Sequence, residues 1–168
     1  MTLDPPCVAS PSQTAGPFFH LGLRDVSSPA TAEPMQLVVS VTDGNADPLS
    51  DAVIELWYVA QSLDASASGK ATFARASTDS HGRCEFVLAP PARSAPHISV
   101  CLFARGLLRQ LYTRLYFEGD AMLDADALLA LVPPERRHTL LARRETGQNQ
   151  WLFSIRLQGA DETVFLAL

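Results

Sequence analysis

The side chains best suited to bind a metal ion or move a proton are four histidines, and they are scattered along the chain. His20, His81, His97 and His138 form none of the patterns HxH, HxxxH or HExxH that place two imidazoles on one metal ion. The run Thr78-Asp79-Ser80-His81 groups a hydroxyl, a carboxylate and an imidazole, but Asp-Ser-His-Gly is typical of a hairpin turn. The chain also lacks the GxSxG elbow, the P-loop and the GxGxxG fingerprint. No local catalytic motif is therefore present.

One stretch near the N-terminus has residue types suited to binding, the run Ser-Gln-Thr-Ala-Gly-Pro-Phe at 12–18. Gly16 lets the backbone approach a ligand or a neighbouring chain closely, and Pro17 restricts the direction of the backbone. Phe18 supplies an aromatic anchor directly after them. The alternative is that this segment packs on the core of its own chain.

A second stretch ends in an arginine. Arg105 follows the apolar run Ile98–Phe103 and precedes Gly106, a pattern that places its guanidinium among loops at the end of a strand. Arginine binds planar carboxylates through two parallel hydrogen bonds, so an anion site is one interpretation. Taken alone, the residues favour the other interpretation, an arginine in a structural ion pair.

Composition restricts the class of protein. A chain of 168 residues suits one domain, and 47% hydrophobic with 18% charged residues excludes a disordered tail. A net charge of -5 without a basic run argues against nucleic acid and anionic membranes as partners. No apolar run reaches the ~18 residues that span a bilayer, and the start does not resemble a signal peptide. Three widely spaced cysteines without CxxC predict reduced thiols and a cytoplasmic location.

Residues 1–34 are rich in proline and small polar residues and predict an extended arm, which needs another surface to hold it. We expect this arm to bury itself mainly against a partner chain. Residues 35–168 then form one domain with short strands separated by turn residues. The predicted fold is mainly β, an antiparallel β-sandwich with short helices and an extended N-terminal arm.

Individual elements follow from the same patterns. The runs beginning at Met35 and Ala52 predict neighbouring antiparallel strands across a turn-rich loop. Asp124 is expected to cap a short helix, and Pro133-Pro134 to open a second one over 135–144. The remaining predicted strands lie at 73–77, 83–88, 97–104, 111–117, 151–157 and 163–168.

Four segments resemble the intradiol ring-cleavage dioxygenase family: residues 12–18, residues 95–117, the run PERRHTLLARR at 134–144 and the segment 155–165. The similarity is to the α-type subunits of enzymes that act on protocatechuate, and it extends in order over nearly the whole chain. It implies a β-sandwich and a non-haem ferric iron held by two tyrosines and two histidines. It also implies insertion of both atoms of O₂ between the hydroxylated ring carbons of protocatechuate, giving β-carboxy-cis,cis-muconate.

This chain departs from the implied ligand set. The family's His-x-His corresponds to His97-Ile98-Ser99, and its first tyrosine falls near Ala71. The second tyrosine would precede His97, where residues 90–95 contain none. Neither serine nor alanine replaces these donors on Fe(III). The resemblance therefore implies that iron lies in a partner beta subunit, that none is bound by this chain, and that His97 is a structural relic.

The same resemblance implies a place for the binding stretches at the partner's active site. Thr14, Gly16, Pro17, Phe18 and Arg105 are expected to line the substrate pocket, with Phe18 standing where many relatives have tyrosine. The expected function is a subunit of a cytoplasmic hetero-oligomeric oxidoreductase in aromatic catabolism. The alternative is a β-sandwich binding or scaffold domain without an enzymatic partner. A self-sufficient catechol-type enzyme is excluded by the missing ligands and the missing helical N-terminal dimerisation segment.

Overall fold

The computed structural model describes residues 25–26, 34–61, 69–145 and 150–167. This part of the chain contains eight strands and three short helical segments. The strands are β1 (Met35–Thr42), β2 (Val53–Ala60), β3 (Lys70–Ser77), β4 (Arg83–Leu88), β5 (His97–Phe103), β6 (Leu111–Phe117), β7 (Leu141–Arg144) and β8 (Gln150–Arg156). The α-helix α1 (Ala127–Leu131) lies between two 3₁₀ segments, Leu123–Ala125 and Pro134–Leu140. None of these described helices is long and apolar enough to cross a membrane.

The strands form two packed layers. One sheet has the order β3-β2-β5-β6 and the other β7-β8-β1-β4, joined where β6 and β7 pair over two residues. All neighbours are antiparallel except the parallel pairs β1–β8 and β6–β7. The predicted β-sandwich with short helices is confirmed.

The burial pattern of the strands explains how the layers pack, and it is a strict alternation in β4. In β4, Cys84, Phe86 and Leu88 are buried and the residues between them are exposed, because successive side chains of a strand point to opposite faces. The main core lies between the sheets and includes Leu37, Ile54, Leu56, Ile98, Val100, Leu102, Leu115, Phe153 and Ile155. Burial of each large aliphatic side chain stabilises the fold by roughly 1.5–3 kcal/mol.

A second, smaller core lies on the outer face of the first sheet. Leu115 and Phe117 of β6 face the main core, so Tyr116 between them faces outward. Leu129, Val132 and Leu140 of the helical segment pack on Tyr116. The helices therefore cover one end of this face, and they position the side chains discussed below.

The predicted pairing of β1 with β2 is wrong. β1 lies between β4 and β8, whereas β2 lies between β3 and β5 in the other sheet. The connection between β1 and β2 turns at Asp43, whose carboxylate accepts hydrogen bonds from the N–H groups of Asn45 and Asp47. Turn residues of this kind end a strand, but they do not determine with which sheet the next strand pairs.

Three predictions near the C-terminus also need correction. Asp126, rather than Asp124, caps α1 by accepting hydrogen bonds from two backbone N–H groups. The second predicted helix ends at Leu140, because the next residues pair with β6 and β8 as strand β7. The predicted strand at 163–168 is reduced, in its described part, to a single bridge between Leu166 and Tyr112.

Candidate functional site

The strand β5 has a candidate site at each end. His97 is its first residue, and Arg105 follows its last residue, Phe103, by two positions. Both residues were singled out from the sequence, and the structure separates them by the full length of the strand. The two ends differ in the way their polar groups are paired.

At the first end, the structure groups the positions where the resemblance places metal ligands. Ile98 and Val100 face the core, so His97 and Ser99 lie on the outer face of the sheet. There they line a pocket of about 380 Å³ together with Ala71, Trp57 and other residues of β2 and β3. The correspondence of Ala71, His97 and Ser99 to one site is thus supported by their positions in the fold.

The residues of this pocket do not fit a ferric iron. A methyl group and a hydroxyl stand where tyrosinate and imidazole donors would be needed, and one imidazole alone is an insufficient ligand set. Among the described residues, no group of three or more His, Cys, Asp or Glu side chains could hold a metal ion.

His97 is instead directed at other side chains of its own chain. Its Nδ1 is buried without a hydrogen-bond partner in the described structure and lies 3.9 Å from Oδ2 of Asp126. Burial lowers the pKa of His97, the charge of Arg114 lowers it further, and Asp126 opposes both. The imidazole is therefore neutral at pH 7, and its ring packs against Tyr116 with 5.9 Å between centroids.

Asp126 is the centre of this network. Its Oδ1 accepts hydrogen bonds from the hydroxyl of Tyr116 at 2.9 Å and from the N–H groups of Leu128 and Leu129. Nη1 of Arg114 lies 3.6 Å from its Oδ2. Burial raises the pKa of Asp126, but these hydrogen bonds and the charge of Arg114 outweigh burial and lower the pKa overall. The ionised carboxylate thereby ties α1 to β6.

At the opposite end, Arg105 forms an ion pair with Asp51 through its Nε. The side chain of Asp51 is 19% exposed, whereas that of Arg105 is 64% exposed. Gly106 adopts a φ of 84°, a left-handed conformation that glycine adopts without strain, and the chain turns there into the connection to β6. The structural ion pair favoured by the residues alone is present, and most of the guanidinium side chain still faces solvent.

Two described residues of the predicted arm, Asp25 and Val26, lie at this same end. Val26 forms an antiparallel bridge with Arg75 of β3, and the carboxylate of Asp25 accepts hydrogen bonds from the N–H and hydroxyl of Ser77. The register places Ser77 opposite Val53, and Val53 opposite Phe103, so these residues form one row at the end of the sheet near Arg105.

Four of the five predicted pocket residues, Thr14, Gly16, Pro17 and Phe18, lie outside the described residues, and their role stays a prediction. Sequence reasoning missed Asp51 and Asp126. Asp126 carried the general signal of an N-cap, a carboxylate before an Ala/Leu run, which Asp124 shares. Asp51 follows a loop serine and resembles any turn aspartate, so no local signal connected it to Arg105.

Comparison with solved structures identifies the class of the fold. The chain is similar to the dioxygenase domain of a dioxygenase and carbohydrate-binding protein fusion from Streptomyces sp. SirexAA-E, with a TM-score of 0.58 and 22% identity over 89% of this chain and 98% of that one. It is also similar to hydroxyquinol 1,2-dioxygenase from Pseudomonas putida DLL-E4, with a TM-score of 0.57 and 18% identity over 88% and 66% of the two chains. The fold is that of the intradiol dioxygenases.

Closer relatives define the family. The chain is 37% identical to the protocatechuate 3,4-dioxygenase alpha chain of Burkholderia cepacia, over 93% of this chain and 95% of that one. It is 34% identical to the protein of the same name from Pseudomonas putida, over 93% and 94%. No model of a protein family matches the chain. At this identity and coverage, the chain belongs to the protocatechuate 3,4-dioxygenase alpha chain family.

Proposed function

We propose that this chain is the iron-free alpha subunit of a protocatechuate 3,4-dioxygenase and completes the substrate pocket of an iron-bearing beta chain. The observation that carries the proposal is the combination of two features. The chain matches alpha chains over 93% of its length, and its own ligand positions contain Ala71, His97 and Ser99. The complex would cleave protocatechuate between its hydroxylated carbons with O₂, the ferric iron of the beta chain supplying the oxidative chemistry.

The geometry supports a role at the outside of the chain rather than in its own relict pocket. The polar groups near His97 bind one another, and they also fix α1. Arg105 keeps a largely exposed side chain at the end of the sheet to which the arm is attached by Asp25. The surface near the Arg105 turn and the described residue Asp25 is therefore suited to meet a second chain.

Within that surface, Arg105 has the clearest chemical role. Protocatechuate carries a ring carboxylate, and a guanidinium near the pocket would attract it and bind it through charge-assisted hydrogen bonds. Thr14, Gly16, Pro17 and Phe18 would form a wall of the pocket, where Gly16 permits close approach of the backbone. Phe18 keeps an aromatic face but has no hydroxyl to donate.

The proposed assembly is a cytoplasmic hetero-oligomer. Burial first, and nearby carboxylates second, raise the pKa of both the Cys84 and the Cys101 thiols to about 12, so both remain protonated and unreactive. Free, buried thiols fit a reducing compartment.

Co-expression with a beta-type chain that contains both tyrosines and His-x-His tests the proposal. We expect a stable complex with iron, the red-brown colour of ferric tyrosinate and protocatechuate-dependent O₂ uptake. The isolated chain should be colourless and bind no stoichiometric iron. An isolated chain with iron and colour would overturn the assignment. A folded chain that assembles with no beta-type partner would support the scaffold alternative instead.

A further inference from the structure

In the ion pair between Asp51 and Arg105, the shortest contact joins Nε of the guanidinium to Oδ2 of Asp51. The contact is made through Nε, and Asp51 is much less exposed than Arg105. A guanidinium has a second edge, formed by its two terminal NH₂ groups, that can bind a carboxylate through two parallel hydrogen bonds. A carboxylate bound at Nε therefore restrains the guanidinium, and the edge formed by the two NH₂ groups faces away from that carboxylate.

The backbone on both sides of Asp51 is fixed by one buried side chain. The hydroxyl of Thr78 donates a hydrogen bond to the carbonyl of Leu49 at 2.6 Å and accepts one from the N–H of Ala52 at 3.0 Å. The N–H of Thr78 also donates to the carbonyl of Ala52 at 2.9 Å. Thr78 and Ala52 are both buried, so these bonds are shielded from water. Asp51 thus occupies a defined position before any substrate arrives.

The same segment also holds the arm. Ser77 donates two hydrogen bonds to Asp25, and Thr78, the next residue, fixes the loop that contains Asp51. Two consecutive residues at the end of β3 therefore connect both parts of the proposed pocket surface, the arm and the arginine. This arrangement is suited to keeping Asp25 and Arg105 at a fixed distance from each other.

We propose that Asp51 is a positioning residue that holds Arg105 by its Nε edge and presents the second edge to the carboxylate of an aromatic acid. The inference rests on the proposed function and extends it to a residue outside the predicted pocket set. Arginine has several rotatable bonds, and immobilising such a side chain on binding weakens association. An arginine oriented in advance avoids most of this loss, although the negative charge of Asp51 opposes an anionic substrate.

These two effects of Asp51 have opposite signs, so substitutions separate them. In the purified complex with the beta chain, Asp51→Ala removes the orienting contact and the charge, whereas Asp51→Asn keeps an oxygen that accepts from Nε. We expect Asp51→Ala to lower kcat/KM for protocatechuate by about 3- to 10-fold. Asp51→Asn should stay within about 2-fold of the unmodified complex, since the amide oxygen restores the orientation.

The internal control is catechol, which lacks the carboxylate and should lose no more than about 2-fold in either variant. Asp161→Ala is the matched control, because it removes an exposed carboxylate that lies near His138 and Arg156 and has no contact with Arg105. It should leave kcat/KM for both substrates unchanged. In an Arg105→Ala background, Asp51→Ala should cause no additional loss, since the group that it orients is gone.

Three outcomes would overturn the positioning role. A rise in kcat/KM for protocatechuate with both Asp51 variants would show that Asp51 only reduces the positive charge of Arg105. Equal losses for protocatechuate and catechol would show a general structural role, as would equal losses with the Ala and Asn variants. Failure of the proposed function would give a different result. Arg105→Ala would then change kcat/KM for protocatechuate no more than it changes kcat/KM for catechol.

Discussion

The two ends of β5 contain similar kinds of residue but use them differently. At the His97 end, an imidazole, a carboxylate, a guanidinium and a phenol are grouped on the outer face of the sheet, and most of their polar atoms face one another. At the Arg105 end, an ion pair with Asp51 holds a guanidinium whose side chain remains 64% exposed. The first end stabilises the fold, and the second is available to another molecule.

This difference shows that a cluster of polar side chains can serve packing. A buried carboxylate needs hydrogen bonds wherever it lies, and Asp126 obtains them from Tyr116 and from the start of α1. The network then joins a strand to the helical segment that covers it. Polar side chains in a pocket are thus insufficient evidence for catalysis, and the exposure and pairing of each group have to be considered.

The largest effect is expected from Asp126→Ala. It removes the helix cap, leaves the Tyr116 hydroxyl without its acceptor and takes away the counter-charge of Arg114, so we expect destabilisation by about 2–4 kcal/mol. Thermal unfolding of the purified complex would measure this. Asp126→Asn should recover part of the loss, because asparagine is also a good N-cap.

Asp124→Ala is the matched control for that substitution. Asp124 is an exposed carboxylate two residues earlier, in a 3₁₀ segment without a side-chain cap. We expect its removal to change stability by no more than about 0.5 kcal/mol. If both substitutions lowered the unfolding temperature equally, the central role of Asp126 in the network would be wrong.

The second largest effect is expected from substitutions of Arg105, at the opposite end of β5. Arg105→Ala should lower kcat/KM for protocatechuate by roughly one to two decades, since a charge-assisted contact to a carboxylate is worth about 1.5–3 kcal/mol. Arg105→Lys should recover only part of the loss, because an ammonium cannot reproduce the planar fork. Iron content and assembly should not change. Equal losses for protocatechuate and catechol would argue for a role in pocket shape and against carboxylate binding.

A smaller effect is expected from the titration of His97. Its pKa is lowered in the folded chain, by burial first and by Arg114 second, against the opposing charge of Asp126 and next to the ring of Tyr116. Below the ordinary pKa of 6.5 the unfolded chain therefore binds more protons than the folded one, and stability falls with falling pH. One such group changes the free energy of unfolding by at most about 1.4 kcal/mol per pH unit.

The measurement is the unfolding temperature of the complex at pH 7.5 and at pH 5.5, with and without His97→Gln. Glutamine has a polar side chain that does not titrate, so the variant should lose less stability between the two pH values. The same pH dependence in both proteins would show that His97 does not contribute.

The smallest effect is expected for the iron content of the complex when His97 is replaced by alanine. With Ala71 and Ser99 at the other positions, His97 alone does not form a binding site, so the iron content of the complex should remain unchanged. Metal analysis of the purified complex checks this, and the corresponding histidine of the beta chain is the positive control. A loss of iron on changing His97 would mean that this end of β5 has kept a metal-binding role.

Local features of the sequence predicted seven of the eight described strands close to their observed positions, but they missed β7 and predicted a strand at 163–168 that is only a bridge in its described part. Alternating apolar residues predicted β4 with its observed bounds, because one face of a strand must be buried. Gly82 ends the preceding turn with a φ of 69°, and a side chain there would meet the carbonyl of Val41. It was also readable from the sequence that Ala71 and Ser99 lack the donors that the resemblance implies for ferric iron.

Tertiary structure alone decided which elements and side chains meet. The parallel pairing of β1 with β8, the hydrogen bond from the Tyr116 hydroxyl to Asp126, and the contact of Asp51 with Arg105 all join parts of the chain that no local pattern connects. The hydrophobic periodicity of a strand or helix indicates which of its faces is buried. It does not indicate which other element packs against that face. Charged residues at loop ends have many possible partners, and only the antiparallel pairing of β2 with β5, which sets Val53 opposite Phe103, brings Asp51 and Arg105 to the same end of the sheet.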